Sequence, residues 1–258
     1  MKCSEIIAFL EERIPLRFAE AWDNAGLLVG DREKEIHKIL VAVDATDEVI
    51  EEAVSGGADM LLTHHPLIFS GLKSVNEEDF IGRRVRRLIR KDICCYAMHT
   101  NFDIAGDMAG LVASKLPLGE TAVLSETAEG YGLGRIGKLD RPMKATDFLG
   151  LVKTEMKLSS VVLYGDGDRL IERVVIMPGS GKSEIGAAVC QGAELMVTGD
   201  IGHHEGIDAA AQGMLIADAG HYGLEKVFVD YMVQTLTEAW KGELEIAAEK
   251  QKQPFTVV

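Results

Sequence analysis

The chain has 258 residues, 47% of them hydrophobic, enough for one or two domains with real cores. Twenty-seven Lys and Arg against forty-one Asp and Glu leave a formal charge of −14. Long-range repulsion from phosphodiester backbones and anionic bilayers therefore argues against nucleic-acid and membrane partners.

From Ser4 to Arg13, Ile6, Ile7, Phe9 and Leu10 recur at helical spacing, with a Ser start and Pro15 as the stop. Glu5, Glu11, Glu12 and Arg13 lie where an export signal would be apolar, and no uncharged apolar run approaches the roughly 18 residues that span a bilayer, so a cytoplasmic protein is expected. The loop Trp22-Asp23-Asn24-Ala25-Gly26 leads into Leu27-Leu28-Val29. Lys38 to Val43 reads as a buried strand, Thr46 to Ser55 as a helix stopped by Gly56-Gly57, and Met60 to Thr63 as a second strand, which makes a βαβ unit. Phe80 to Lys91 reads as a charged helix and Ile93 to Ala97 as another strand. Cys3, the adjacent Cys94 and Cys95, and Cys190 form no C-x-x-C pair, so reduced thiols are expected.

The second half repeats this plan. A slide of 135 positions lays Ile39 to Thr63 over Val174 to Thr198: strand, helix (Ser183 to Cys190) and strand (Leu195 to Thr198) again. A slide of 122 lays Ile93 to Ala97 over Leu215 to Ala219, His99 over His221 and Asp103 over Glu225. Between them lie Gly-rich strand signals, a helix near Thr146 to Met156 and a Val161-Val162-Leu163 strand. Two related α/β modules from an internal duplication are expected, 1–125 and 126–258, with a metal site at their interface.

The histidines carry the chemistry. His64 and His65 follow one predicted strand, His99 another, His203 and His204 a third, and His221 a fourth. Ligands of open α/β sheets bind beyond the carboxyl ends of the strands, so these side chains can converge from distant positions. Neighbours in a strand point to opposite faces, so His64 and His65 can address one ion only if the strand has ended, as Pro66 implies. His99-x-x-x-Asp103 and His221-x-x-x-Glu225 each add a carboxylate to an imidazole. Nitrogen and oxygen donors without thiolate suit Zn, Mn, Fe, Co or Ni. Five ligands exceed one open tetrahedron and suit two ions about 3.5 to 4 Å apart.

These residues sit in longer motifs. Ala19-Glu20-x-Trp22-Asp23-Asn24-x-Gly26-Leu27-Leu28-Val29-Gly30, Thr63-His64-His65-Pro66-Leu67-x-Phe69, His99-Thr100-Asn101-Phe102-Asp103, Thr198-Gly199-Asp200 with His203-His204-Glu205, and Asp218-x-Gly220-His221-x-x-x-Glu225 run the length of the chain. In that order they resemble the NIF-three-like family, often labelled GTP cyclohydrolase 1 type 2 homologues. The resemblance implies a NIF-three-like fold, a dinuclear centre ligated by His64, His65, Asp103, His221 and Glu225, and a toroidal homohexamer. It also implies that His99 and His204 act beside the metals or in proton transfer. Leu224 departs from the small hydroxyl residue usual before the glutamate.

Other signals are weaker. Pro178-Gly179-Ser180-Gly181-Lys182-Ser183 lacks the first glycine of a Walker loop, since Ile176 stands there. Arg83, Arg84, Arg86, Arg87, Arg90 and Lys91 alternate with Ile81, Val85, Leu88 and Ile89, as on the solvated face of an amphipathic helix. Asp44, Asp47, Asp166 and Asp168 sit where caps and turns explain them. Trp22 and Asn24 either border the site or anchor a loop. The leading expectation is a metal-dependent hydrolase acting on a small molecule, by the family label through hydrolytic opening of a purine ring. The alternatives are a metal-binding or metal-delivery protein, or a hexameric scaffold.

Overall fold

The computed structural model describes residues 1–128 and 130–256. One compact unit is Met1–Gly106 with Phe228–Lys252; the other is Asp107–Val227 with the residues from Gln253 onward. The first division thus falls at Gly106, before the expected 125, and the last helix and strand return to the first unit. The reason is topological: the C-terminal strand pairs with a strand of the first sheet, a partnership that no local pattern announces.

The first unit opens with α1 (Cys3–Arg13), which buries Cys3, Ile6, Ile7 and Leu10 along one stripe. It continues through β1 (Gly26–Val29), β2 (Lys38–Ala42), α2 (Asp47–Ser55), β3 (Met60–Thr63), α3 (Phe80–Arg90), β4 (Cys94–Ala97) and α4 (Thr100–Ala105). β2, β3 and β4 run parallel, and β3 and β4 are buried throughout, which is why they read as continuous apolar runs. Thr46 caps α2 by accepting a hydrogen bond from Val49 N at 3.2 Å. The basic run on α3 is met by acids: Arg83 and Arg84 by Asp47, Arg87 by Glu51, and Arg86 and Arg90 by Glu77. It is a paired, solvated face, as its alternation predicts.

The second unit holds α5 (Met108–Ala113), β5 (Ala122–Ala128), β6 (Tyr131–Lys144), α6 (Ala145–Glu155), β7 (Val162–Tyr164), β8 (Leu170–Ser180), α7 (Ile185–Cys190), β9 (Leu195–Gly199), α8 (His203–Ala211), β10 (Leu215–Asp218) and α9 (His221–Glu225). Its six-stranded sheet has the order β5-β6-β8-β9-β10-β7. The chain then returns through α10 (Val227–Ala239) and β11 (Glu245–Ala248), which completes the first sheet in the order β1-β4-β3-β2-β11. β8 outruns its predicted end at Met177 because Pro178 and Gly179 fall in a register shift between Ile176 and Ser180, a bulge that absorbs turn residues inside a strand. No helix among the described residues is long and apolar enough to cross a membrane.

The two sheets share a register. Ile39 faces Met60 as Val174 faces Leu195, each residue 135 positions further on. Asp59 Oδ2 accepts from His37 N and Lys38 N (2.8 and 3.1 Å), and Glu194 Oε2 accepts from Glu172 N and Arg173 N (2.7 and 3.0 Å), at the same offset. Such atom-level repetition is consistent with duplication. The second repeat, however, falls in a different register from the expected one. Met98 N donates to Thr63 O and Ala219 N to Thr198 O, an offset of 121 rather than 122. His99 therefore corresponds to Gly220, each the residue preceding its helix, and His99 and His221 are not equivalent. A one-residue slip turns every strand side chain to the opposite face, so two histidines matched by sequence belong to different positions.

Burial alone would raise the Glu194 carboxyl, but the two backbone N–H donors and nearby Arg169 and Arg173 hold it below its usual 4.5. A depressed folded pKa contributes stability above the unfolded value and loses it as pH falls. Glu194→Gln is expected to cost about 1 kcal/mol at neutral pH, with the difference from wild type closing below roughly pH 4 in equilibrium urea unfolding.

Candidate metal centre

In the first unit, β3 ends at Thr63, yet the next two residues stay tied to the end of β2: His64 N donates to Ala42 O and His65 N to Val43 O (3.2 and 2.9 Å). Thr63 Oγ1 donates to His65 O at 2.8 Å and closes the turn ahead of Pro66. Freed from strand alternation, the two rings lie with centroids 4.8 Å apart, and each is within 5.5 Å of the His99 ring. One ring nitrogen from each of His64, His65 and His99 falls within 4.8 Å of the others, a group able to hold a metal ion. Asp103, one turn into α4, brings Oδ1 to 3.6 Å from His64 Nε2.

Each ring is fixed through Nδ1. His64 Nδ1 donates to Met98 O at 2.8 Å, His65 Nδ1 to Asp44 Oδ1 at 2.8 Å and His99 Nδ1 to Asp23 Oδ1 at 2.7 Å. Carbonyl and carboxylate oxygens only accept, so the proton sits on Nδ1 and the lone pair of the neutral ring on Nε2. Asp23 also accepts from Thr100 N and Oγ1. Burial on its own would raise its carboxyl, but the His99 and Thr100 hydrogen bonds outweigh that and hold it down at about 2. Asp44, expected to be a cap, is instead the carboxylate that orients His65; Thr46 takes the cap.

In the second unit, His221 opens α9 with Nδ1 2.7 Å from Asp200 Oδ2 and Nε2 3.0 Å from Glu225 Oε2. The Glu225 side chain is only 4% exposed. Asp218 braces both loops, accepting from Ile201 N through Oδ2 and from Gly220 N through Oδ1. Two glycines make room: a Cβ on Gly179, where φ is +73°, would lie 2.7 Å from Glu225 Oε1, and one on Gly199 would lie 2.5 Å from His221 N. Both ring nitrogens of His221 thus face carboxylates, and the pair His221 Nε2–Glu225 Oε2 needs a positive charge between them, either a proton or a metal. A cation satisfies both groups, so this donor set fits a metal as well as a proton. Leu224, the departure from the family pattern, is buried in the core.

His203 and His204 are exposed at the start of α8, with ring centroids 5.3 Å apart. Among the described residues no metal-capable group includes either. Sequence reasoning found the imidazoles but missed their supports, Asp23, Asp44 and Asp200. A signal existed: Asp44 and Asp200 trail β2 and β9 as the histidines trail their strands.

The fold is α/β, with His and carboxylate groups able to hold a metal ion placed after parallel strands. The chain belongs to the Duf34/NIF3 (NGG1p interacting factor 3) family, whose model matches residues 1–254. It is 34% identical over 271 residues to a Clostridium perfringens protein named GTP cyclohydrolase 1 type 2 homolog, with 100% of each chain covered. Its fold matches a Bacillus cereus protein related to NIF3 with a TM-score of 0.94 at 25% identity, over 100% of this chain and 99% of that one. It also matches reduced HcgD from Methanocaldococcus jannaschii with a TM-score of 0.85 at 30% identity, over 97% and 98% of the two chains.

Asp23→Asn should destabilise the protein by about 1 to 3 kcal/mol at neutral pH, since one carboxylate serves four donors, His99 Nδ1, Thr100 N, Thr100 Oγ1 and Asn24 N. Because the native carboxyl titrates near 2, the deficit against wild type should shrink as pH falls from about 4 toward 2, as read by chemical denaturation.

Proposed function

We propose that this chain is a metal-dependent hydrolase that binds two divalent ions through His64, His65, Asp103, His221 and Glu225. What carries the reading is the Nδ1 anchoring: His64, His65 and His221 each give their Nδ1 proton to a fixed acceptor, the support that ligating histidines have. Nitrogen and oxygen donors without sulfur favour Zn, Fe, Mn, Co or Ni over Ca or Mg. Bound ions of this kind lower the pKa of a coordinated water toward neutrality and polarise the bond to be cut.

The chain's own groups supply the rest. Asp44 and Asp200 make His65 and His221 more basic at Nε2 and hold their rings in one orientation. His99 accepts a proton at Nε2, and Asp23 beneath it stabilises the imidazolium that results. His204, exposed on α8, exchanges protons with solvent. The name carried by the curated relatives directs the chemistry to a purine nucleotide, with water added at C8 and the imidazole ring opened. Assembly into a homohexamer in the cytoplasm belongs to the same proposal. A second reading, metal delivery, draws on the partial exposure of the His65 and His221 side chains, 22% and 29%, which leaves a route for ligand exchange.

The test is purified, metal-loaded chain assayed against GTP, phosphoesters and cyclic amides beside His65→Ala. Wild type should carry about two ions per chain by elemental analysis, and the variant should lose at least about a hundredfold in turnover. Turnover that survives in the variant, or never exceeds background in wild type, rejects the hydrolase. Asp44→Ala should weaken metal affinity about 10- to 100-fold in competition with a chromophoric chelator. An unchanged affinity would remove the role given to that carboxylate.

A further inference from the structure

Two large aromatic side chains stand in solvent beside the imidazole cluster of the first unit. Trp22 is 58% exposed and Phe69 is 57% exposed. Their ring centroids are 5.7 Å apart with an interplanar angle of 45°. Both also meet the His99 ring nearly edge-on, at 5.9 and 6.2 Å. Burial of these rings in the core would bring a large hydrophobic gain, and the fold forgoes it at two contacting positions.

The rings are held there by construction. Trp22, Asp23 and Asn24 are consecutive, and each does separate work. Asp23 fixes His99 and the start of α4 through three hydrogen bonds. Asn24 Nδ2 donates to Ile68 O at 2.5 Å and so ties this loop to the one that carries Phe69. The Asn24 backbone N–H donates to Asp23 Oδ1, which locks the turn between them. Phe69 also borders an open surface hollow of about 460 Å³ lined in part by Leu67, Leu72, Lys73 and Phe80. An anchored loop and a site-bordering loop are therefore the same loop: the hydrogen bonds below position the rings above.

We propose that Trp22 and Phe69 form a stacking platform that seats a planar heteroaromatic ring of the ligand beside His64, His65 and His99. Aromatic faces recognise such rings through offset and edge-to-face stacking without regard to their hydrogen-bonding edges. The platform would be set before the ligand arrives, so little ordering cost attaches to binding. This deepens the hydrolase reading, on which the identity of the reacting molecule rests. Ring capture itself needs only the two side chains.

The experiment uses the full chain with Trp240→Phe, which leaves Trp22 as the one tryptophan. Chelator-treated and zinc-loaded protein are each titrated with guanosine, adenosine and uridine while Trp22 fluorescence is followed. Saturable quenching by at least one nucleoside is expected in both forms. Phe69→Ala and Phe69→Leu should raise its Kd by about tenfold to a hundredfold, whereas Phe69→Tyr, which keeps the ring face, should stay within about twofold. Thermal unfolding and zinc content of the three variants should match wild type. Absence of saturable quenching by all three nucleosides at millimolar concentration overturns the proposal, as does an unchanged Kd in Phe69→Leu. A smaller assembly in Phe69→Ala with unchanged nucleoside affinity also overturns it, because the rings would then be a contact between copies of this chain. Failure of the hydrolase reading looks different: His65→Ala would keep full turnover, or wild type would show none, while quenching in chelator-treated protein stayed as expected.

Discussion

The chemistry of this protein depends on where four protons sit. His64, His65, His99 and His221 each give the Nδ1 hydrogen to an oxygen that can only accept it: one backbone carbonyl and three carboxylates. For His64, His65 and His99 that arrangement fixes the tautomer and the ring plane together and leaves the basic lone pair on Nε2, whereas His221 Nε2 faces a second carboxylate, Glu225 Oε2 at 3.0 Å. A histidine buried merely as packing needs one satisfied nitrogen and has no use for a charged acceptor. The Asp23 side chain, fully withdrawn from water to brace His99 and the start of α4, costs desolvation, and a fold retains such a group where the ring must do more than fill space.

The scaffold explains how so few residues manage this. Parallel strands end on one edge of the sheet, so the residue after each strand arrives near the residue after its neighbour. Asp44 follows β2 and His65 follows β3, and the ladder that joins Ala42 to Thr63 brings the two side chains into hydrogen-bond range. Asp200 follows β9 and His221 follows β10 in the second sheet, with the same result. The two sheets are not identical, however: the ladders place Gly220 where His99 stands in the first unit. Each unit thus carries its own donor set on a similar frame.

Much of this was legible from residue order. Strand cores such as Leu61-Leu62 and Met196-Val197, the glycine stops at Gly57 and Gly192, and the 135-residue offset follow from hydrophobic runs and turn chemistry, and the structure repeats them down to individual hydrogen bonds. The histidines were visible because imidazole after a strand is an uncommon placement. Less visible were features that depend on non-local pairing. β11 joins β2 across two hundred residues of sequence, so the unit boundary could not be placed from local signals. Asp44 looked like a cap because a carboxylate before a helix usually is one; only the register of β2 against β3 shows that it faces His65. Matching histidine to histidine gives an offset of 122, whereas strand register gives 121. Pro178 and Gly179 signalled a turn, and the strand kept them in a bulge.

Nε2 of these rings, with carboxylate oxygen and no sulfur, is the proposed donor set for divalent metal. X-ray absorption at the metal edge of zinc-loaded full-length protein addresses it without reference to any substrate. The account predicts nitrogen or oxygen scatterers at about 2.0 to 2.2 Å together with the outer-shell pattern of imidazole. A sulfur shell at about 2.3 Å, or a first shell with no imidazole signature, would contradict it.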